Sequence, residues 1–379
     1  MAKTKKRLKF HTRLCDVLGI EYPIMQAGMG GFSDPPLVIA VSEAGGLGTL
    51  GAATYESDTL DAAIKEIRKG TSKPFAIDIL LPDSLKDLEG ISKEGLMKFI
   101  PDEYYAYGKE LRKKFGVPDD FHSNRGGALF TMEGTKGLVQ VCLDNKVPVI
   151  VAGLGRVGWF ASDCKRLGIK TIAIGANVDM AMKHVEDKVD VIVAQGYDAG
   201  GHTGEIGTMS VVPQVVDAVK PIPVAAAGGI ADGRGLVAAL SLGAEGVWCG
   251  SAFLVSDEVT ATEPQKDRWI AATERDARIS KAISGKTMRQ LRTPLTEIWD
   301  KGPMKPLGWP FQNLLTLDIV EYVYANKDVE KYDQLLVSPC SQAARLLTKK
   351  RSSKQIIDDM VAQATQVLEE GLPGKVQLK

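Results

Sequence analysis

Eight short apolar runs rich in Val, Ile and Ala recur along the chain, each ending in glycine or a polar residue and followed by a segment of helical period. They are YPIMQAGM (22–29), GLGTLG (46–51), PFAIDILL (74–81), VPVIVAG (147–153), IKTIAIGA (169–176), VDVIVAQG (189–196), PIPVAAAGG (221–229) and AEGVWCGS (244–251). Runs with so little polar alternation predict strands covered on both faces, the situation of a parallel sheet wrapped in helices. The intervening periods predict helices over Ser57–Lys69, Gly134–Asn145 and Val157–Leu167, the last with Val157, Phe160, Cys164 and Leu167 on one buried face. Ser57 and Asp232 stand where N-caps belong. Eight strand–helix units predict an α/β fold closed into a (β/α)8 TIM barrel.

Two segments break this rhythm. Residues 82–130, between the third and fourth strands, are far longer than a usual connection and predict a lid or helical insertion. After about Ser284 the strand rhythm stops, and residues 285–379 are expected to form a C-terminal helical extension packed on a barrel end or at an oligomer contact. The barrel itself is assigned to residues 1–81 and 131–284.

Charge removes several function classes. Lys plus Arg equals Asp plus Glu, 47 each, so no global field attracts nucleic acid or an anionic membrane. The five cysteines (Cys15, Cys142, Cys164, Cys249, Cys340) include no C-x-x-C pair, which argues against a disulfide framework or a metal site and for a reducing, cytoplasmic setting. The basic start, MAKTKKRLKFHTRL, has no apolar stretch after it, so neither secretion nor membrane spanning is expected.

In a barrel of this kind, chemistry gathers on the loops after the strands, and the glycines of this chain gather there. Bare backbone N–H groups after the last two strands suit a phosphate, which makes Gly228, Gly229, Gly250 and Ser251 phosphate candidates. GLGRVG (153–158) has the form of a dinucleotide fingerprint but lacks its context. His11, His122 and His184 fall where surface roles are expected. His202 sits among Gly200, Gly201 and Gly204, so its ring is expected to face the barrel mouth and titrate near neutral, as a base toward carbon.

PIMQAGMGG (23–31), AQGYDAGGHTG (194–204), PVAAAGGIADG (223–233) and GVWCGSAFL (246–254) resemble, in order and spacing, the motifs of the FMN-dependent nitronate monooxygenase family, once called 2-nitropropane dioxygenases, and of related flavin enoyl-thioester reductases. The resemblance spans about residues 17–255. It implies FMN as cofactor, with Gln26, Ala27, Gly28 and Met29 along the ring, and Gln195, Gly196 and Gly201 beside it. Gly228, Gly229, Gly250 and Ser251 would hold its phosphate, and His202 would move the proton. Asp198 departs from the glutamate usual in its loop, and Asp78 stands where relatives often carry Asn; Asp78 is carried only as a flavin neighbour.

Three functions follow as alternatives: nitronate oxidation with O2, enoyl- or acyl-CoA thioester oxidoreduction in lipid or steroid catabolism, and flavin binding without turnover. A small-molecule substrate is expected in the first two, and O2 or NAD(P)H is left open as redox partner. The subunit count is open, a homodimer being one option. The insertion residues Tyr104, Tyr105, Tyr107, Lys109, Arg112, Lys113 and Lys114 read first as a solvated helix face and second as a clamp for coenzyme A phosphates.

Overall fold

All eight expected runs form strands, for the reason their patterning gives: their residues are buried from both sides. The computed structural model describes residues 10–81, 88–123 and 131–376. The first nine residues of the basic start and both ends of the expected insertion (82–87 and 124–130) lie outside them. In chain order the strands are β1 (Ile24–Gln26), β2 (Gly48–Gly51), β3 (Phe75–Leu80), β4 (Val149–Gly153), β5 (Lys170–Gly175), β6 (Val191–Gln195), β7 (Gly201–His202), β8 (Val224–Ala227), β9 (Gly246–Cys249), β10 (Ala277–Ser280) and β11 (Met288–Leu291).

Eight of them form one parallel sheet in the order β1-β9-β8-β6-β5-β4-β3-β2. It closes where Gln26 N–H donates to Leu47 C=O at 2.9 Å and Leu47 N–H donates to Ile24 C=O at 3.0 Å. Inward-facing Met25, Ala76, Val151, Ile172, Val193, Ala225 and Trp248 fill the barrel, and Leu14 and Leu18 of the helix Arg13–Leu18 join that cluster. The alternate residues, such as Ile77, Ile150, Ile192 and Val247, belong to the cluster shared with the surrounding helices.

Seven helices of that ring each lie between consecutive barrel strands. Ser57 is the first residue of its helix rather than the cap: Glu56 and Thr59 form the capping box, the Glu56 side chain accepting from Thr59 N–H and the Thr59 hydroxyl accepting from Glu56 N–H at 2.9 Å. Asp232 caps as expected, its carboxylate accepting from the N–H groups of Arg234 at 3.0 Å and Gly235 at 3.3 Å.

The eighth helix comes from the far end of the chain. Ser353–Gln366 packs against both Gly233–Ser241 and Pro35–Glu43. Its approach is so close that a Cβ on Gly233 would stand 2.4 Å from the Met360 carbonyl oxygen and the Ala364 nitrogen. Part of the expected extension therefore completes the barrel wall.

The strand rhythm also continues past Ser284, contrary to the sequence expectation. β10 pairs antiparallel with β11, and β11 pairs with β7, setting Met288 opposite His202 and Arg289 opposite Gly201. Insertion helices Lys93–Met97 and Asp102–Lys114 pack on the extension helix Phe311–Ala325: Leu111 and Phe115 share a cluster with Trp299 and Ile319, and Leu96 and Ile100 share one with Leu314. Among the described residues no helix is long and apolar enough to cross a membrane.

Candidate active site

A cavity of about 420 Å³ opens at the C-terminal ends of the barrel strands. Ala27, Gly28, Met29, Asp78, Gln195, Gly201, His202, Gly228, Gly229, Gly250 and Ser251, all singled out from sequence, line it. Two others do not. Gln26 is wholly buried, and its amide ties the barrel seam: Oε1 accepts from Thr49 N–H at 2.9 Å and Nε2 donates to Thr49 C=O at 3.1 Å. Gly196 backs onto the helix Thr208–Val219, where a Cβ would meet Thr208 Oγ1 at 2.2 Å.

The glycines around His202 have separate causes. A Cβ on Gly200 would press on the Cys340–Ser341 backbone at 2.7–2.8 Å, so the extension can cross there only over a bare residue. Gly201 has φ +70° and open space beside it, the left-handed turn that sends the next side chain toward the cavity. Asp198 is structural, its Oδ2 accepting from Thr208 N–H at 2.9 Å at the start of the following helix.

His202 is held from two sides. Its Nε2 lies 2.9 Å from Ser284 Oγ, and its carbonyl accepts from Gln195 Nε2 at 2.6 Å. Burial, and then the nearby Lys286 ammonium, pull the imidazole down to about 4, well below the near-neutral value expected from sequence. An imidazolium set into the cavity wall loses hydration, so the neutral ring prevails. The sign of the pH dependence follows. A base must be neutral, so kcat/KM for a carbon acid is expected to stay level through pH 6–8 and to fall only as pH drops through about 4. An acid limb centred above pH 6 in a pH–rate profile would contradict this environment.

Asp78 is 7 % exposed, and burial pushes its carboxyl up to about 7. At the phosphate end, Gly228 and Gly229 have φ +112° and +71°, and the N–H groups of Gly229, Ile230 and Gly250 have no acceptor among the described residues. Asp232 already occupies the neighbouring helix end, so the anion-binding capacity lies in these loop amides rather than in the helix terminus.

The extension supplies residues that sequence reasoning missed. Arg289, 2 % exposed, donates to the carbonyls of Tyr197 (2.9 Å), Ala199 (3.2 Å) and Ala277 (3.2 Å), and its guanidinium lies 4.4 Å from the Tyr197 ring centre. It braces the loop that leads to His202. Ser341 N–H donates to Ser251 Oγ at 2.8 Å, and Trp309, Leu317, Val320 and Val337 form an apolar outer wall. No local signal marks them, because each acts on a loop distant in sequence.

Other expectations resolve plainly. Arg112 is taken up by Asp318 and by the carbonyls of Pro118 (2.7 Å) and Phe121 (2.8 Å), so it is not offered to a substrate phosphate. Lys109, Lys113 and Lys114 are solvent-exposed, and Tyr104 and Tyr107 pack on Trp299. His11 and His122 are exposed, beside Asp16 and Asp318 respectively. His184 is not a surface residue: it is 2 % exposed, with Nε2 3.2 Å from the Ile174 carbonyl.

A profile of the nitronate monooxygenase family matches residues 11–363. A probable nitronate monooxygenase of Staphylococcus saprophyticus is 33% identical over 95% of this chain and 99% of its own length. The structure of FabK from Thermotoga maritima superposes with a TM-score of 0.74 at 31% identity, covering 97% of this chain and 99% of that one. A nitroalkane oxidase from Streptomyces ansochromogenes does so with a TM-score of 0.79 at 26% identity, covering 94% and 98%. With a matched profile and full-length relatives of the same kind, this chain belongs to the nitronate monooxygenase family of oxidoreductases.

Proposed function

We propose that the protein is an FMN-dependent oxidoreductase in which His202 removes a proton from carbon beside a nitro, carbonyl or thioester group. The observation that carries this reading is the meeting, in one cavity, of the His202 imidazole with two loops whose amide N–H groups lack acceptors. The residues present fit the cofactor. Three free amides suit a phosphate, the open space beside Gly201 leaves room for a flat ring, and the lining offers few polar groups, as small-molecule sites do. Bound flavin would supply a two-electron acceptor.

The chain's own part is acid–base work and positioning. Neutral His202 accepts the proton, while the Ser284 hydroxyl and the Gln195 amide fix the ring and its backbone. An imidazole that is unprotonated near neutral pH favours abstraction over donation. The apolar outer wall of Trp309, Leu317, Val320 and Val337 supports a second reading, a substrate with an extended apolar part such as an acyl thioester.

Purified protein is expected to be yellow, with absorption bands near about 370 and about 450 nm, as for bound flavin generally. Gly229→Val places a branched side chain at φ +71° and is expected to cut FMN occupancy at least about tenfold while the fold persists. A colourless wild type that refuses added FMN would end the cofactor reading. Anaerobic reduction by a nicotinamide nucleotide, followed by reoxidation with nitronate plus O2 or with an enoyl thioester, separates the two substrate classes.

A further inference from the structure

Asp78 is a carboxyl placed where a carboxylate has nothing to answer its charge. It faces inward from β3 with Leu80, opposite Gly51 of β2 and Val151 of β4. A Cβ on Gly28 would stand 2.4 Å from its Cβ and Oδ2, and a Cβ on Gly153 would stand 2.9 Å from its Oδ1. Both neighbours are bare, so the carboxyl fills the space two side chains would have taken. Its Oδ1 has no hydrogen-bond partner among the described residues.

The elements packed against it offer no counter-charge. β2, β4, the Ala27–Gly31 loop and the Gly153–Leu154 turn carry no titratable side chain. Arg156, beyond that turn, is held by Asp187 and Glu186. The other titratable groups lining the cavity are His202, Glu321 and Tyr324, and none of them bonds to Asp78. Burial alone sets its protonation. An ionised carboxylate can only accept, whereas a protonated one gains a donor, and covering it with a ring removes the remaining water.

We propose that Asp78 meets the cofactor ring as a neutral carboxylic acid and donates its O–H to an acceptor atom of that ring, so that binding above neutral pH takes up one proton from solvent. This rests on the reading of the site as an FMN site. A ring seated at pH 8 must first have the carboxylate protonated, whereas at pH 6 the acid form already prevails.

The test titrates FMN into the apoprotein between pH 6 and 9, following flavin fluorescence, for wild type and Asp78→Asn. A dye in weak buffer reads proton uptake. The wild-type affinity, taken as a ratio to that of Asp78→Asn, is expected to fall by up to about tenfold per pH unit above pH 7. Uptake at pH 8 is expected to approach one proton more for wild type than for the variant. The cofactor's phosphate, with a second pKa of about 6, titrates equally in both proteins and cancels in the ratio. Parallel affinity profiles with equal proton uptake would overturn the proposal while leaving the FMN site standing. Failure of both proteins to bind FMN at any pH would bring down the cofactor reading and this proposal together.

Discussion

His202→Ala is expected to lower turnover of a neutral carbon acid by roughly 10²- to 10⁴-fold, the usual worth of a positioned acid–base group, while the protein stays yellow. The fold should not suffer. His202 lies on the two-residue strand β7, whose pairing with β11 is made by backbone, and the Gln195 amide contacts the His202 carbonyl rather than its ring. What disappears is a neutral imidazole oriented by the Ser284 hydroxyl and facing the cavity. A preformed nitronate has already lost its proton, so its oxidation needs no base and should fall far less, by under about tenfold. Steady-state kinetics on a nitroalkane and on its nitronate decide the matter. Equal losses on both would show that His202 positions substrate and does not abstract the proton.

The barrel was legible because each strand is buried on both faces, which leaves no polar alternation and makes the apolar runs stand out. The loops were legible for a related reason: Gly228, Gly229 and Gly250 are bare backbone where the fold concentrates binding. Gln26, a polar residue ending a strand beside a glycine loop, has the sequence appearance of a ligand contact. Its amide is in fact consumed by Thr49 across the barrel seam. The place of His202 at the cavity is legible in its glycine loop, whereas its protonation depends on burial and on Lys286, more than eighty residues away. Ser284, Arg289 and Ser341 were invisible for the same reason. They support loops across long sequence separations, and nothing in their own segments records the loop they touch.

A chain ending at Arg351 is expected not to fold, because the helix it loses is the eighth of the helical wall around the barrel. Ile356, Ile357, Met360 and Val361 are each 5 % exposed or less, and at about 1.5–3 kcal/mol per buried side chain they contribute on the order of 10 kcal/mol. That rivals the whole net stability of a typical domain, about 5–15 kcal/mol. The polar contacts point the same way: Glu258 accepts from the N–H and hydroxyl of Ser353 at 2.9 and 2.8 Å, and Gly233 N–H donates to Gln363 Oε1 at 2.8 Å. Removing the helix would uncover the flanks of Pro35–Glu43 and Gly233–Ser241, the latter leading directly from the Gly228–Gly229 loop. Insoluble or molten product, seen as loss of a cooperative thermal transition and of FMN binding, is the expected outcome. A control chain ending at Gly371 removes only residues beyond the packed helix and should melt close to the full-length protein. If the shorter chain instead folded, bound FMN and melted within a few degrees of full length, the wall between Pro35–Glu43 and Gly233–Ser241 would have to be supplied by another segment, and Ser353–Gln366 would be dispensable.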